Sequence, residues 1–168
     1  MRILGIDPGF AIVGWGVLDY ENSAFRVVDF GSIQTKAGID TIERLMAVYD
    51  GICAVMDKYK PEHMAIEELF FNTNQKTGIV VAEARGILLL AARQRRIEIG
   101  EYTPLQVKQA VVGYGRAEKA QVIRMVTTLL GLKQAPKPDD TADALAIAVC
   151  HGHSALSRIG GYYNSNDK

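Results

Sequence analysis

Cysteine is scarce in this chain. Cys53 and Cys150 are the only two, and neither stands at metal-ligand spacing. Two reduced thiols packed as small hydrophobes are expected. No segment approaches the roughly 20 uncharged apolar residues that a membrane span needs. Asp7 arrives too early for the apolar centre of a signal peptide, so a cytoplasmic protein without membrane attachment is expected. Internal repeats and low-complexity linkers are also missing. Nor is there a surplus of charge of either sign, since 19 basic residues balance 19 acidic ones. A non-specific nucleic-acid binder is usually basic overall. Any binding to nucleic acid therefore requires the positive charge to be gathered on one face.

What is present is an ordinary folding composition. The 168 residues argue for one domain, and 48% hydrophobic against 23% charged residues is a globular balance rather than a disordered one. The charge is unevenly spread. Lys108, Arg116, Lys119, Arg124, Lys133 and Lys137 follow one another with a single acid, Glu118, among them.

Residues 2–7 read as a first strand, mostly apolar and ending on an acid. Asp7-Pro8-Gly9 is a turn signal. Residues 14–19 and 25–32 follow as two short strands with Asn22-Ser23 between them, a meander without intervening helices. A helix is expected from about Asp40, capped there with Glu43 closing a capping box. Its stripe is Ile42, Leu45, Met46, Tyr49, Ile52, Cys53 and Met56, and Pro61 ends it. Residues 63–67 are a short strand that again ends on an acid. Residues 78–95 read as a long helix apolar on more than one side, and residues 97–102 as the fifth strand. Helices over 104–112, 118–130 and 140–151 complete the chain. The order predicts an α/β domain, a five-stranded mixed sheet flanked by helices, over residues 1–153. Residues 154–168 are expected to be a flexible C-terminal tail. The first and fourth strands should be neighbours, which would bring Asp7 and Glu67 to one place.

Four acids stand where a scaffold element meets a loop. Asp7 and Glu67 close strands, and Asp140 and Asp143 lie three apart at a helix start, on neighbouring positions of its surface. Converging carboxylates raise one another's pKa, and divalent cations are the usual remedy. Hard oxygen ligands without His or Cys select Mg²⁺ or Mn²⁺. Two such ions about 3.5–4 Å apart clamp a phosphodiester. Singly, each acid has an ordinary reading. Asp7 can shape a turn, Glu67 can be a solvated strand end with Glu68 as its competitor, and Asp139, Asp140 and Asp143 can cap a helix. The combination shifts the balance, because apolar strands end in acids twice and a helix start adds a third acidic point.

At these residues the chain resembles the RuvC family of Holliday junction resolvases. The resemblance is carried by Ile3-Leu4-Gly5-Ile6-Asp7-Pro8-Gly9 and Ala65-Ile66-Glu67-Glu68-Leu69-Phe70, then by Gln106-Val107-Lys108-Gln109-Ala110-Val111-Val112-Gly113-Tyr114-Gly115. Ala117-Glu118-Lys119 and Asp140-Thr141-Ala142-Asp143-Ala144-Leu145-Ala146 complete it. It implies a ribonuclease H-like fold and a homodimer that nicks two strands of like polarity in a four-way DNA junction. It implies RuvAB, a branch-migration complex, as partner. It assigns the catalytic and metal-holding acids to Asp7, Glu67, Asp140 and Asp143, which decides between Glu67 and Glu68 and between Asp140 and Asp139. Some members carry His where Asp140 stands, so an all-carboxylate site with no His base is expected. Lys108 and Lys119 match basic residues near the junction backbone, and Phe70 an aromatic that stacks on an unpaired base. Arg116 closes the loop Gly113-Tyr114-Gly115, which is expected to touch DNA backbone. His151 and His153 are expected to be structural.

Overall fold

The computed structural model describes residues 1–69 and 75–159. Its elements are β1 (Arg2–Asp7), β2 (Ile12–Glu21), β3 (Ala24–Gln34), α1 (Thr41–Tyr59), β4 (His63–Glu67) and α2 (Gln75–Gln94). After them come β5 (Glu98–Tyr102), α3 (Pro104–Val112), α4 (Lys119–Leu129) and α5 (Asp139–Ile159). The strands form one sheet in the order β3-β2-β1-β4-β5. β1, β2 and β3 are an antiparallel meander, while β4 joins β1 in parallel and β5 joins β4 in parallel. This is the mixed, ribonuclease H-like sheet expected from the sequence, with β1 beside β4.

Strand side chains alternate between faces, and here both faces are apolar. Leu4, Ile6, Val13, Val17, Met64 and Ile66 face α1 and α2, packing with Val48, Ile52, Met56 and Leu88. Ile3, Leu18, Ala65 and Tyr102 face the other way, into a cluster with Val107, Val122, Val126, Leu145 and Val149 of the last three helices. Helices therefore cover both faces, and the sheet is the middle of three layers.

Several boundaries depart from the sequence reading. β2 and β3 extend to Glu21 and Ala24, because Asn22 and Ser23 both take positive φ and close a two-residue hairpin. Asp40 does cap α1, but by accepting from the Ile42 N–H at 2.8 Å rather than through a capping box with Glu43. The stripe expected on α1 is only partly inside. Val48, Ile52, Val55, Met56 and Tyr59 are buried, whereas Ile42 and Met46 are more than half exposed. α2 begins at Gln75, earlier than expected, and buries Ala84, Leu88, Ala91 and Ala92 while Ile79 and Leu90 stay exposed. Its second apolar side is thus left open by the other described residues. α5 continues to Ile159, so residues 154–159 are helical rather than loose tail, and residues 160–168 lie outside the described residues. His151 is buried with its Nδ1 2.8 Å from the Tyr102 hydroxyl, and the His153 ring packs on Phe25. Cys150 is buried and its thiol pushed up to about 11 by that burial. Among the described residues no helix is long and apolar enough to cross a membrane.

Candidate active site

Asp7 ends β1 and Glu67 ends β4. Ile6 pairs with Ile66 in parallel register, so the two acids take the next rung side by side. Alternation puts both on the face shared with Gly5 and Ala65, the face that carries α5. Glycine brings that helix close. A Cβ on Gly14 of β2 would stand 2.0 Å from the Asp140 carbonyl oxygen, and one on Gly5 would stand 2.0 Å from that of Ala144. A Cβ on Gly16 would meet the Leu145 side chain at 2.5 Å. α5 thus rests on bare strand backbone. The Thr141 hydroxyl donates to the Gly31 carbonyl at 3.2 Å and fixes the first turn. Asp140 and Asp143 are thereby delivered to the strand ends that carry Asp7 and Glu67.

The four carboxylates interact. Asp7 is pushed up to about 8, first by burial, then by the charges of Asp143, Glu67 and Asp140, with Lys119 opposing. Glu67 is also held above the usual carboxylate range, by burial and Asp143, with Lys108 and Lys119 drawing it back. Lys119 Nζ lies 2.8 Å from Asp143 Oδ2. That bond, together with the charges of Asp143, Asp139 and Asp7, holds its ammonium above the usual lysine value. Lys119 is the first residue of α4, where the helix dipole disfavours a cation by about 0.3–1 kcal/mol. The acids opposite reverse that preference. Lys108 is carried by α3, whose start is fixed by Thr103 accepting from the Gln106 N–H at 3.2 Å. Glu67, Lys108, Lys119 and Asp143 border a cleft of about 240 Å³ whose apolar lining includes Val107, Val122 and Ile147.

The sequence-predicted residues fall out as follows. Asp7, Glu67, Asp140 and Asp143 gather at one end of the sheet, while Glu68 and Asp139 are exposed. Lys108 and Lys119 share the cleft. Arg116 is exposed on the loop before α4 and is not part of the cleft lining. Phe70 lies outside the described residues. The gathering is looser than a ready-made metal cage. Among the described residues no three His, Cys, Asp or Glu side chains stand together as an ion would require. A cation of the protein's own, the Lys119 ammonium, holds Asp143 instead.

The chain matches the family model described as crossover junction endodeoxyribonuclease RuvC over residues 3–151. It belongs to the RuvC family. The crossover junction endodeoxyribonuclease RuvC of Clostridioides difficile is 54% identical over 168 residues, spanning 97% of this chain and 99% of that one. The protein of the same name from Alkaliphilus metalliredigens is 58% identical over 154 residues, 92% of this chain and 94% of the relative. A structure of Thermus thermophilus RuvC in complex with Holliday junction substrate superimposes with a TM-score of 0.83 at 34% identity. It covers 95% of this chain and 97% of that one.

Two arginines of this RuvC family member escaped the sequence reading. Arg85 of α2 donates from Nε to the Glu67 carbonyl oxygen at 3.1 Å and pairs with Glu101 of β5. It ties the end of β4 to its neighbour and so positions Glu67. Arg44 of α1 reaches the loop that follows Asp7, where its guanidinium lies 3.8 Å above the Phe10 ring centroid. The one available signal was an arginine inside a largely apolar helix, and that pattern equally fits a solvated face.

Proposed function

We propose that this chain resolves four-way DNA junctions by metal-dependent nicking of two strands of like polarity, acting in recombination and repair. One observation carries the chemistry: Asp7 is pushed up to about 8 by its burial and by the charges of Asp143, Glu67 and Asp140. Such a group ionises at neutral pH when a cation comes to it. The donor set is all hard oxygen, which fits Mg²⁺, with Mn²⁺ as substitute and two ions per site. Asp7, Glu67, Asp140 and Asp143 would hold them, with Asp143 turning from Lys119 to join. Bound there, the ions would supply Lewis acidity at the scissile phosphate.

The chain's own residues do the rest. Lys119, once released by Asp143, is free to meet the phosphate, and Lys108 neutralises backbone beside it. Phe70 stacks on a base at the crossover, which is worth about 1–3 kcal/mol. Arg116 meets backbone further out. The junction as substrate is supported by the Thermus thermophilus RuvC, a relative of 34% identity whose structure is a complex with Holliday junction substrate. Two like nicks need two sites, hence a homodimer. Ile42 and Met46 on α1 and Ile79 and Leu90 on α2 offer the exposed apolar surface. Residues 1–153 form the nuclease unit, in the cytoplasm, with RuvAB as the branch-migration partner.

The test is cleavage of a synthetic four-way DNA junction with and without Mg²⁺, beside a structured RNA. Asp7→Asn, Glu67→Gln and Asp143→Asn should each lose at least about 100-fold in rate while junction binding survives. Wild-type rates in any of them at saturating Mg²⁺ would remove that acid from the site.

A further inference from the structure

A second groove, of about 660 Å³, opens beside the same acids. Gly9, Phe10, Ala11, Arg44, Val81 and Asp140 are among the residues that border it. Asp140 borders this groove and Asp143 the cleft of Lys108 and Lys119. Residues three apart on a helix are surface neighbours, so the two recesses meet across the first turn of α5.

Arg44 is held rigidly at this groove. Its Nε donates to the Thr35 hydroxyl at 2.9 Å, and that hydroxyl donates to the Phe10 carbonyl at 2.8 Å. Its Nη2 donates to the same carbonyl at 3.3 Å, and the guanidinium is stacked on the Phe10 ring. These bonds use two of five N–H donors. Among the described residues no carboxylate pairs with the partly buried Arg44, although the other partly buried arginines, Arg2, Arg85 and Arg95, each have one. A guanidinium fixed in place, with donors to spare, suits the paired oxygens of a phosphate. Lys108 and Lys119 can serve a strand on one side of the acids only. A polyanion threaded over the acids needs a cation on the other side as well.

We infer that Arg44, braced by Phe10 and Thr35, binds a backbone phosphate of the cleaved strand on the side of the scissile bond away from Lys108 and Lys119. This rests on the junction-cutting reading above. Arg44 is then a positioning residue whose ligand is a phosphodiester of the substrate itself.

Junction binding in EDTA across about 50–200 mM salt reads the contact, because each neutralised phosphate adds about 0.9 to the log–log salt slope for duplex DNA. Arg44→Gln keeps N–H donors for Phe10 and Thr35 but loses the charge. It should flatten the slope by close to that amount and weaken binding by roughly 3- to 10-fold at the low-salt end. Arg44→Lys should keep the slope. Weaker binding by Arg44→Gln with the wild-type slope would mean a merely structural role and overturn the inference. A second measurement needs no variant: single methylphosphonates placed along the cleaved strand. Wild-type binding should suffer from neutral linkages on both sides of the cut, and sensitivity on one side only overturns the inference. Wild-type protein that neither binds nor cuts the junction would sink the parent reading and this one together.

Discussion

Asp7 and Lys119 hold this site in balance at the scale of single residues. Asp7 is an acid kept above its ordinary range by burial and three like charges. Its folded pKa of about 8 exceeds the unfolded value of about 4. Between those values the folded chain holds a proton that the unfolded chain has released. This contribution to stability is therefore full below about pH 4 and is lost as pH rises through about 8. Glu67 acts in the same direction. The melting temperature in EDTA should fall between about pH 5 and 8.5. Asp7→Asn should raise it at about pH 8.5 by about 5 °C, which for a domain of this size corresponds to about 1–3 kcal/mol. The same variant should gain little at about pH 5, and Mg²⁺ should restore wild type but not the variant. Equal gains at both pH values would show that Asp7 carries no such proton. Lys119 offsets the repulsion from the other side, and its place at a helix start makes sense only through Asp143.

Among the elements, α5 and β4 position the chemistry. α5 reaches the strand ends because β1 and β2 offer it glycine, Gly5, Gly14 and Gly16, at the points of closest approach. Gly14→Ala puts a methyl group 2.0 Å from the Asp140 carbonyl oxygen. Backbone rather than a flexible side chain must then move, so a stability loss of at least about 2 kcal/mol is expected. Cleavage should fall further than the folded fraction does, since the helix that carries Asp140 and Asp143 lifts off. Urea unfolding alongside junction cleavage checks both, and unchanged values in both would mean that the close seat does not matter. Arg85 does the equivalent work for β4. Arg85→Gln should lower kcat by about 10-fold while junction affinity stays within about twofold, because the side chain touches the Glu67 carbonyl rather than DNA. An affinity loss at unchanged kcat would assign Arg85 to binding instead.

For the whole molecule, the question is what covers the outer side of α1 and α2. Ile42, Met46, Ile79 and Leu90 are each more than half exposed on helices that pack together on one side of the sheet. Ile79→Glu combined with Leu90→Glu should leave a folded monomer in sedimentation, where wild type should sediment as a dimer. Paired nicking of the two strands should be lost with it. A wild-type monomer that still makes paired nicks would refute the dimer.

The sequence alone determined the kind of each element and most of their order, because the signals are local. The meander, the strands ending on Asp7 and Glu67, the helix over residues 104–112 and the acids opening α5 are all written within a few neighbouring residues. It also held the Gly and Ala positions that let α5 lie flat, although alternation with a distant helix could not be seen there. Only the tertiary structure decided what passes through space between remote segments. The rise of Asp7, the ammonium of Lys119 on Asp143, Arg85 on the Glu67 carbonyl and Arg44 on Phe10 all needed the sheet order first. So did the exposure of Ile42 and Met46, which share the helical period of the buried Ile52 and Met56. Period reports a stripe, and the length and placing of the neighbouring elements decide how much of it is covered. Electrostatic coupling falls with distance in space rather than along the chain, so it becomes legible only once the fold has brought those charges together.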